Sequence, residues 1–192
     1  MKGVVGIDEV GRGCWAGPLL VVAARERSTL PEGLADSKTL TKNQRESLYG
    51  AIVDSCDLGE GWVQPDEIDR RGLTQAMRLG VGRALMALGV MLDEHIIMDG
   101  LINYCPADFT NVQTLAKADS LSPIVSAASI YAKVLRDKHM VRLAKFYPFY
   151  GFEQHVGYGT KLHHDTLKIH GVSKIHRKSY KPVKAYLVQS AV

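Results

Sequence analysis

The run Gly3-Val4-Val5-Gly6-Ile7-Asp8-Glu9-Val10-Gly11-Arg12-Gly13 decides how this chain folds, together with its continuation Cys14-Trp15-Ala16-Gly17-Pro18-Leu19-Leu20-Val21-Val22-Ala23-Ala24. Residues 3–8 and 18–24 are apolar and rich in β-branched side chains, which predicts two strands, and Gly11, Gly13 and Gly17 mark a turn between them. The first strand ends on two adjacent carboxylates, Asp8 and Glu9. Two negative charges at a buried strand end are costly unless something positive compensates them. Adjacent strand residues also point to opposite faces. Either the longer Glu9 reaches round the strand, or the strand has already ended.

Working outward, residues 61–64 suggest a third strand, and 66–88 carry apolar residues at helical spacing, from Ile68 and Leu73 to Leu85 and Leu88. Residues 95–98 form a short apolar run that stops at Asp99-Gly100, and 112–115 form another. Ser122-Pro123 opens a long helix, with proline at the favoured first position and Ile124, Ala127, Ala128, Tyr131, Val134 and Leu135 on its apolar face. Beyond Lys145 the chain becomes aromatic and basic. Strands first, then strands alternating with helices, predict an α/β domain with a mixed sheet. With 192 residues, 46% apolar and 23% charged, one soluble domain is expected, neither disordered nor fibrous. The chain has no apolar run long enough for a membrane span and no secretory leader, so a cytoplasmic protein is expected. Cys14, Cys56 and Cys105 match no zinc or disulfide spacing.

Charge is unevenly distributed. Residues 1–132 hold 12 Lys+Arg against 17 Asp+Glu, whereas residues 133–192 hold 12 against 3. An acidic body with a basic C-terminal third fits metal-binding carboxylates in one part and a polyanion partner for the other; solvated basic helix faces are the plainer alternative. Asp99 repeats the pattern of Asp8, a carboxylate ending a buried strand, and Asp119 stands just before the long helix. Taken singly, Asp99-Gly100 reads as a turn and Asp119-Ser120 as a cap. Together, Asp8, Glu9, Asp99 and Asp119 at element ends are the oxygen donors that a hard divalent cation such as Mg²⁺ requires.

The turn formally satisfies a dinucleotide fingerprint over Gly11-Arg12-Gly13-Cys14-Trp15-Ala16. A nicotinamide-type enzyme is therefore the alternative from another class. Against it, Asp8 and Glu9 would repel a pyrophosphate, Arg12 adds bulk, and the residues that follow read as strand where the fingerprint opens a helix.

The series Gly6-Ile7-Asp8-Glu9-Val10-Gly11-Arg12-Gly13, Asp36-Ser37-Lys38, Glu67-Ile68-Asp69, Met98-Asp99-Gly100, Lys117-Ala118-Asp119, Ser126-Ala127-Ala128-Ser129-Ile130, Arg136-Asp137, Gly157-Tyr158-Gly159-Thr160-Lys161, His163 and His176-Arg177-Lys178-Ser179 resembles, in family order, type 2 ribonuclease H (ribonuclease HII). The resemblance covers nearly the whole chain. It implies a ribonuclease H-like α/β fold, a mixed five-stranded sheet flanked by helices, with a helical basic C-terminal region. It implies one catalytic domain over 1–192, residues 145–192 completing the substrate groove, and a monomer. The activity implied is hydrolysis of RNA in RNA–DNA hybrids and incision 5′ of single ribonucleotides embedded in duplex DNA, leaving 3′-hydroxyl and 5′-phosphate ends. Asp8, Glu9, Asp99 and Asp119 would hold two Mg²⁺ or Mn²⁺ ions. Gly11, Arg12 and Gly13 would read the ribose 2′-OH, the group that separates RNA from DNA at a site. Tyr158 would meet the sugar at the RNA–DNA junction, and Lys38, Lys117, Lys161 and Arg177 would contact phosphates. Cys14-Trp15, Gly72 and Leu162 depart from the usual family residues. Type 3 ribonuclease H, which usually has Gly-Thr-Gly at the turn and an extra N-terminal domain, is the nearer alternative.

Overall fold

The computed structural model describes residues 3–35, 37 and 39–187. They fall into two compact units: described residues within 3–10, 20–62 and 77–134 belong to the first, and 11–19, 63–76 and 135–187 to the second.

The first unit is built on a five-stranded sheet of order β3-β2-β1-β4-β5. Its strands are β1 (Val5–Val10), β2 (Leu19–Glu26), β3 (Cys56–Val63), β4 (Ile96–Asp99) and β5 (Val112–Leu115). β1 runs antiparallel to β2 and parallel to β4, and β4 runs parallel to β5, so the sheet is mixed, as expected. Nearly every residue of β1 and the first six of β2 are buried, which suits their continuous apolar sequence. β1 extends to Val10, two residues beyond the expected end, so Glu9 lies within the strand.

Helix α1 (Lys42–Ser55) has no counterpart in the periodicity reading, because it buries only Ile52 and Ser55 and shows no apolar stripe. Its start is written in the sequence all the same. Thr41 caps the helix, its hydroxyl accepting from the Gln44 N–H while the Gln44 side chain accepts from the Thr41 N–H. The helix expected over 66–88 is two helices, α2 (Pro65–Arg71) and α3 (Leu73–Leu88). The break falls at Gly72, whose φ of 75° lies outside the helical region.

After the single turn α4 (Ala118–Leu121) comes α5 (Pro123–Ala144). Residues 124–132 of α5 are buried without interruption rather than along a stripe. Gly6 explains how close that helix comes: a Cβ there would lie 2.6 Å from the Ile124 carbonyl carbon and 2.7 Å from the Val125 nitrogen. Helix backbone rests directly on the central strand.

The second unit carries α6 (Phe152–His155), α7 (Lys161–His170) and α8 (Lys181–Leu187). Its core gathers Ala16, Met140, Ala144, Tyr150, Phe152, Leu167 and Tyr186. Of the aromatic run beyond Lys145, Tyr150 and Phe152 are interior, while Phe146 and Phe149 stay exposed. Among the described residues, no helix is long and apolar enough to cross a membrane.

Candidate active site

Parallel pairing sets the acidic centre of the first unit. Ile7 of β1 registers with Met98 of β4, so the next residue on each strand is a carboxylate: Asp8, within β1 just past the last parallel pair, and Asp99, the last residue of β4. Asp8 is buried, 6% exposed. One carboxylate oxygen accepts from the Glu9 N–H at 2.8 Å, and Ser129 of α5 hydrogen-bonds the same side chain. Ser129 is also hydrogen-bonded to Ser37, at 2.9 Å. Burial first, then the negative charges of Glu9 and Asp99, push the Asp8 carboxyl up from 3.8 to about 8. Glu9 therefore acts on Asp8 electrostatically even though strand alternation sends its side chain the other way.

Asp99 is oriented by the loop that leads to Asp119. Lys117 adopts a left-handed conformation (φ 59°, ψ 36°), uncommon for a residue with a Cβ. That turn aims the Ala118 N–H at Asp99 Oδ1, 2.7 Å away. The buried Asp119 comes next, its backbone carbonyl accepting from the Ser126 hydroxyl of α5. Two serines of α5 thus reach the acidic segment, one to a carboxylate and one to a backbone carbonyl.

Among the described residues, no three His, Cys, Asp or Glu side chains already converge as a metal cage. The donors nevertheless fit a divalent ion chemically. They are hard carboxylate oxygens, and the buried Asp8 has its ionised form raised in energy by two like charges. A cation would relieve that penalty.

The glycine turn belongs to the second unit. Gly11 has φ 84°, and a Cβ there would lie 2.2 Å from the Arg136 Nε. Arg136 is fully buried and donates to the carbonyls of Pro18 (2.8 Å), Val156 (3.0 Å) and Ala16 (3.3 Å). Arg177, also fully buried, donates to the carbonyls of Gly17 and Arg12, both at 3.0 Å, and to the Tyr180 hydroxyl, which in turn donates to Arg12 O. The exposed Arg12-Gly13 tip is therefore held from beneath, and a Cβ at Gly13 would meet nothing within 4 Å. The turn leads into strand β2, not a helix, which removes the dinucleotide reading.

Other expected contacts separate. Arg177, expected at a phosphate, lies in the interior as a support for the turn. Lys117 and Lys161 are exposed, Lys161 at the start of α7 where the Thr160 hydroxyl caps the helix. Tyr158 is partly exposed at 37%, and the Arg136 guanidinium carbon lies 6.0 Å from its ring centroid. Its loop pairs with the chain after the turn, Trp15 N–H donating to Gly157 O at 2.8 Å. Lys38 lies outside the described residues. Periodicity and spacing single out neither Ser129 nor Arg136, nor Asp69, whose carboxylate accepts from the Lys178 and Ser179 N–H groups at 2.8 Å each. Only family order marks them.

A mixed sheet with a buried Asp8 on its central strand and Asp99 closing the parallel neighbour, α5 packed on that central strand, defines a metal-dependent nuclease of ribonuclease H-like fold. The ribonuclease HII family profile matches residues 5–183. The ribonuclease HII of Wolbachia sp. subsp. Brugia malayi is 42% identical over 186 residues, covering 95% of this chain and 90% of that protein. Among solved structures, the ribonuclease H2 of Pyrococcus horikoshii OT3 superposes with a TM-score of 0.76 at 28% identity, over 97% of this chain and 98% of the other. A Bst-RNase HIII crystallised with Mn²⁺ shares the fold, with a TM-score of 0.75 at 22% identity, covering 98% of this chain and 70% of that one. The chain belongs to the ribonuclease HII family, and it is a divalent-metal-dependent endoribonuclease that acts on RNA–DNA hybrids.

Proposed function

We propose that this enzyme also incises duplex DNA on the 5′ side of a single embedded ribonucleotide, leaving 3′-hydroxyl and 5′-phosphate ends. Asp8, Glu9, Asp99 and Asp119 would hold two divalent ions, Mg²⁺ or Mn²⁺, with Asp8 and Asp99 as the central donors. The observation that carries the metal assignment is the buried Asp8, its carboxyl raised by burial, Glu9 and Asp99. Ions bound there supply activation of water and neutralisation of the charge that develops on the leaving 3′ oxygen. The chain's own groups prepare the site: Ser129 and the Glu9 N–H orient Asp8, and the Ala118 N–H orients Asp99.

Recognition falls to Gly11, Arg12 and Gly13, whose backbone reads the ribose 2′-OH, and to Tyr158 at the RNA–DNA junction. Gly13 supports this reading, since open space at its Cβ position leaves room for a sugar edge. Two buried guanidiniums, Arg136 and Arg177, give the turn a positive field suited to an anionic backbone. Lys117 and Lys161 are the candidate phosphate contacts, and Arg177 serves as a positioning residue beneath Arg12. The test is cleavage of duplex DNA carrying one ribonucleotide, with and without Mg²⁺. A metal-dependent nick 5′ of the ribonucleotide is expected. Cleavage of long hybrids alone would refute the proposal.

A further inference from the structure

Three buried histidines of the second unit are hydrogen-bonded in a way that fixes every ring proton. His163 Nδ1 lies 2.9 Å from the Tyr158 carbonyl oxygen, which only accepts, so Nδ1 carries the proton. His176 Nδ1 accepts from the Ser173 N–H at 3.0 Å, so that nitrogen is bare and the proton sits on Nε2. The two Nε2 atoms are 2.9 Å apart, and only the sense His176 N–H to His163 N satisfies both. His155 obeys the same logic. Its Nδ1 accepts from the Gly157 N–H at 3.2 Å, and its Nε2 donates to the Tyr150 carbonyl at 2.8 Å. Its ring also stacks on His163, with centroids 4.4 Å apart.

This relay ends on a loop, not on a charged group. The Gly157 N–H and the Tyr158 carbonyl, in the peptide units just before and just after the bond that enters Tyr158, are each held by an imidazole. A cation at His163 would set two N–H groups head to head, and burial pushes the His163 and His176 imidazoles down to about 4 and about 3.

We propose that the neutral hydrogen-bonded relay from His176 through His163, with His155 stacked on it, positions the Gly157-Tyr158-Gly159 loop for substrate. The three are positioning residues acting through Tyr158, and the proposal rests on the reading of Tyr158 as a junction contact. Trp15 packs against the same loop: a Cβ at Gly159 would lie 2.2 Å from its ring, so the loop is clamped on the indole as well.

The test has three arms on the full-length protein. In ¹⁵N NMR of the wild type at pH 7, a neutral Nδ1–H His163, Nε2–H His155 and His176, and coupling across the 163–176 hydrogen bond are expected. An imidazolium or the opposite tautomer at His163 or His176 would overturn the relay. In amide exchange, His163→Phe should speed exchange of residues 157–160 at least tenfold, and His163→Asn, which returns an N–H to the Nδ1 position, should restore most of the protection. Unchanged exchange in the phenylalanine variant would overturn the positioning role. In cleavage, His163→Phe should lower kcat/KM at a single embedded ribonucleotide about tenfold more than on a long hybrid, and combining it with Tyr158→Ala should add little. Selectivity lost in Tyr158→Ala but kept in His163→Phe would break the link between relay and tyrosine. Should Tyr158→Ala itself lower both substrates alike, the junction role of Tyr158 fails, and the tautomer and exchange arms still decide the relay. The NMR arm needs no variant to fold.

Discussion

Asp8→Asn is the substitution whose consequences the structure fixes most fully. Without a metal, burial above all, then the charges of Glu9 and Asp99, pushes the Asp8 carboxyl up from 3.8 to about 8. A folded-state pKa above the unfolded one means that the native state binds a proton the unfolded chain gives up. Stability is therefore full below pH 3.8 and is lost as pH rises from there through about 8. Each pH unit of that window costs up to about 1.4 kcal/mol, so by pH 7 the loss is on the order of 4 kcal/mol. Asparagine has nothing to ionise, and its amide oxygen can still accept from the Glu9 N–H. The variant should abolish cleavage while folding more stably than the wild type in the absence of metal at pH 7 to 8. The assay is denaturant unfolding from pH 4 to 9 in a chelator, repeated with Mg²⁺. The wild type should show the steeper loss without metal and the larger rescue by Mg²⁺, since only it offers the ion a full carboxylate. A variant no more stable than wild type at pH 8, or one that keeps wild-type turnover at saturating Mg²⁺, would refute the reasoning.

Tyr158→Ala should lower cleavage at one embedded ribonucleotide roughly tenfold to hundredfold more than on a long hybrid, the value of a lost stacking contact of about 1–3 kcal/mol, whereas Asp119→Asn should depress both substrates alike; the ratio of rates on the two substrates checks it. Lys161→Ala should flatten the slope of log affinity against log salt by about one unit, and an unchanged slope would return Lys161 to ordinary solvated surface. His163 and His176 are held neutral in the fold, so the unfolded state takes up their protons first and stability falls as pH drops from 6.5 through about 4 and about 3 respectively. That slope opposes the one from Asp8, and His176→Gln should remove up to about 1.4 kcal/mol per pH unit of it in acid denaturation curves measured beside the wild type. Gly6→Ala should cost roughly 1–3 kcal/mol in unfolding free energy, because its Cβ would press on helix backbone rather than on a side chain that could swing away.

β1 and β2 were legible because they are buried on both faces and read as apolar runs, though β2 overruns its expected end by two; β4 and β5, less deeply buried, still fall within a residue of their expected limits. β3 was harder to see. Its sequence Cys-Asp-Leu-Gly-Glu-Gly-Trp-Val mixes polar residues and two glycines, and only its last three residues fell within the predicted segment. Those glycines answer a packing demand invisible to periodicity, since a Cβ at Gly59 or Gly61 would meet the α3 carbonyls of Ala84 or Gly80 at about 2 Å. Helix α1 escaped for the opposite reason, being too polar to show a face. The Gly72 break escaped because apolar spacing runs on through it.

At the site, carboxylates ending strands could be picked out from the sequence because they violate the pattern around them. The arginines could not. An arginine on a helix or in a basic tail looks like solvated surface, and the family resemblance placed Arg177 at a phosphate. Its guanidinium instead satisfies two carbonyls and a tyrosine hydroxyl in the interior, and its Nη2 is the one buried side-chain nitrogen or oxygen left without a hydrogen-bond partner among the described residues. A buried cation with no carboxylate beside it is expensive unless the surrounding dipoles all point their negative ends inward. The tightly turned chain around Gly11 and Gly17 does this, presenting the carbonyls of Arg12 and Gly17 to Arg177 and those of Ala16 and Pro18 to Arg136. Gly11, which counted toward the dinucleotide fingerprint, is thus required first by the Arg136 guanidinium beside it. With those carbonyls turned inward, the Arg12-Gly13 tip is left exposed, as the proposed reading of the ribose requires.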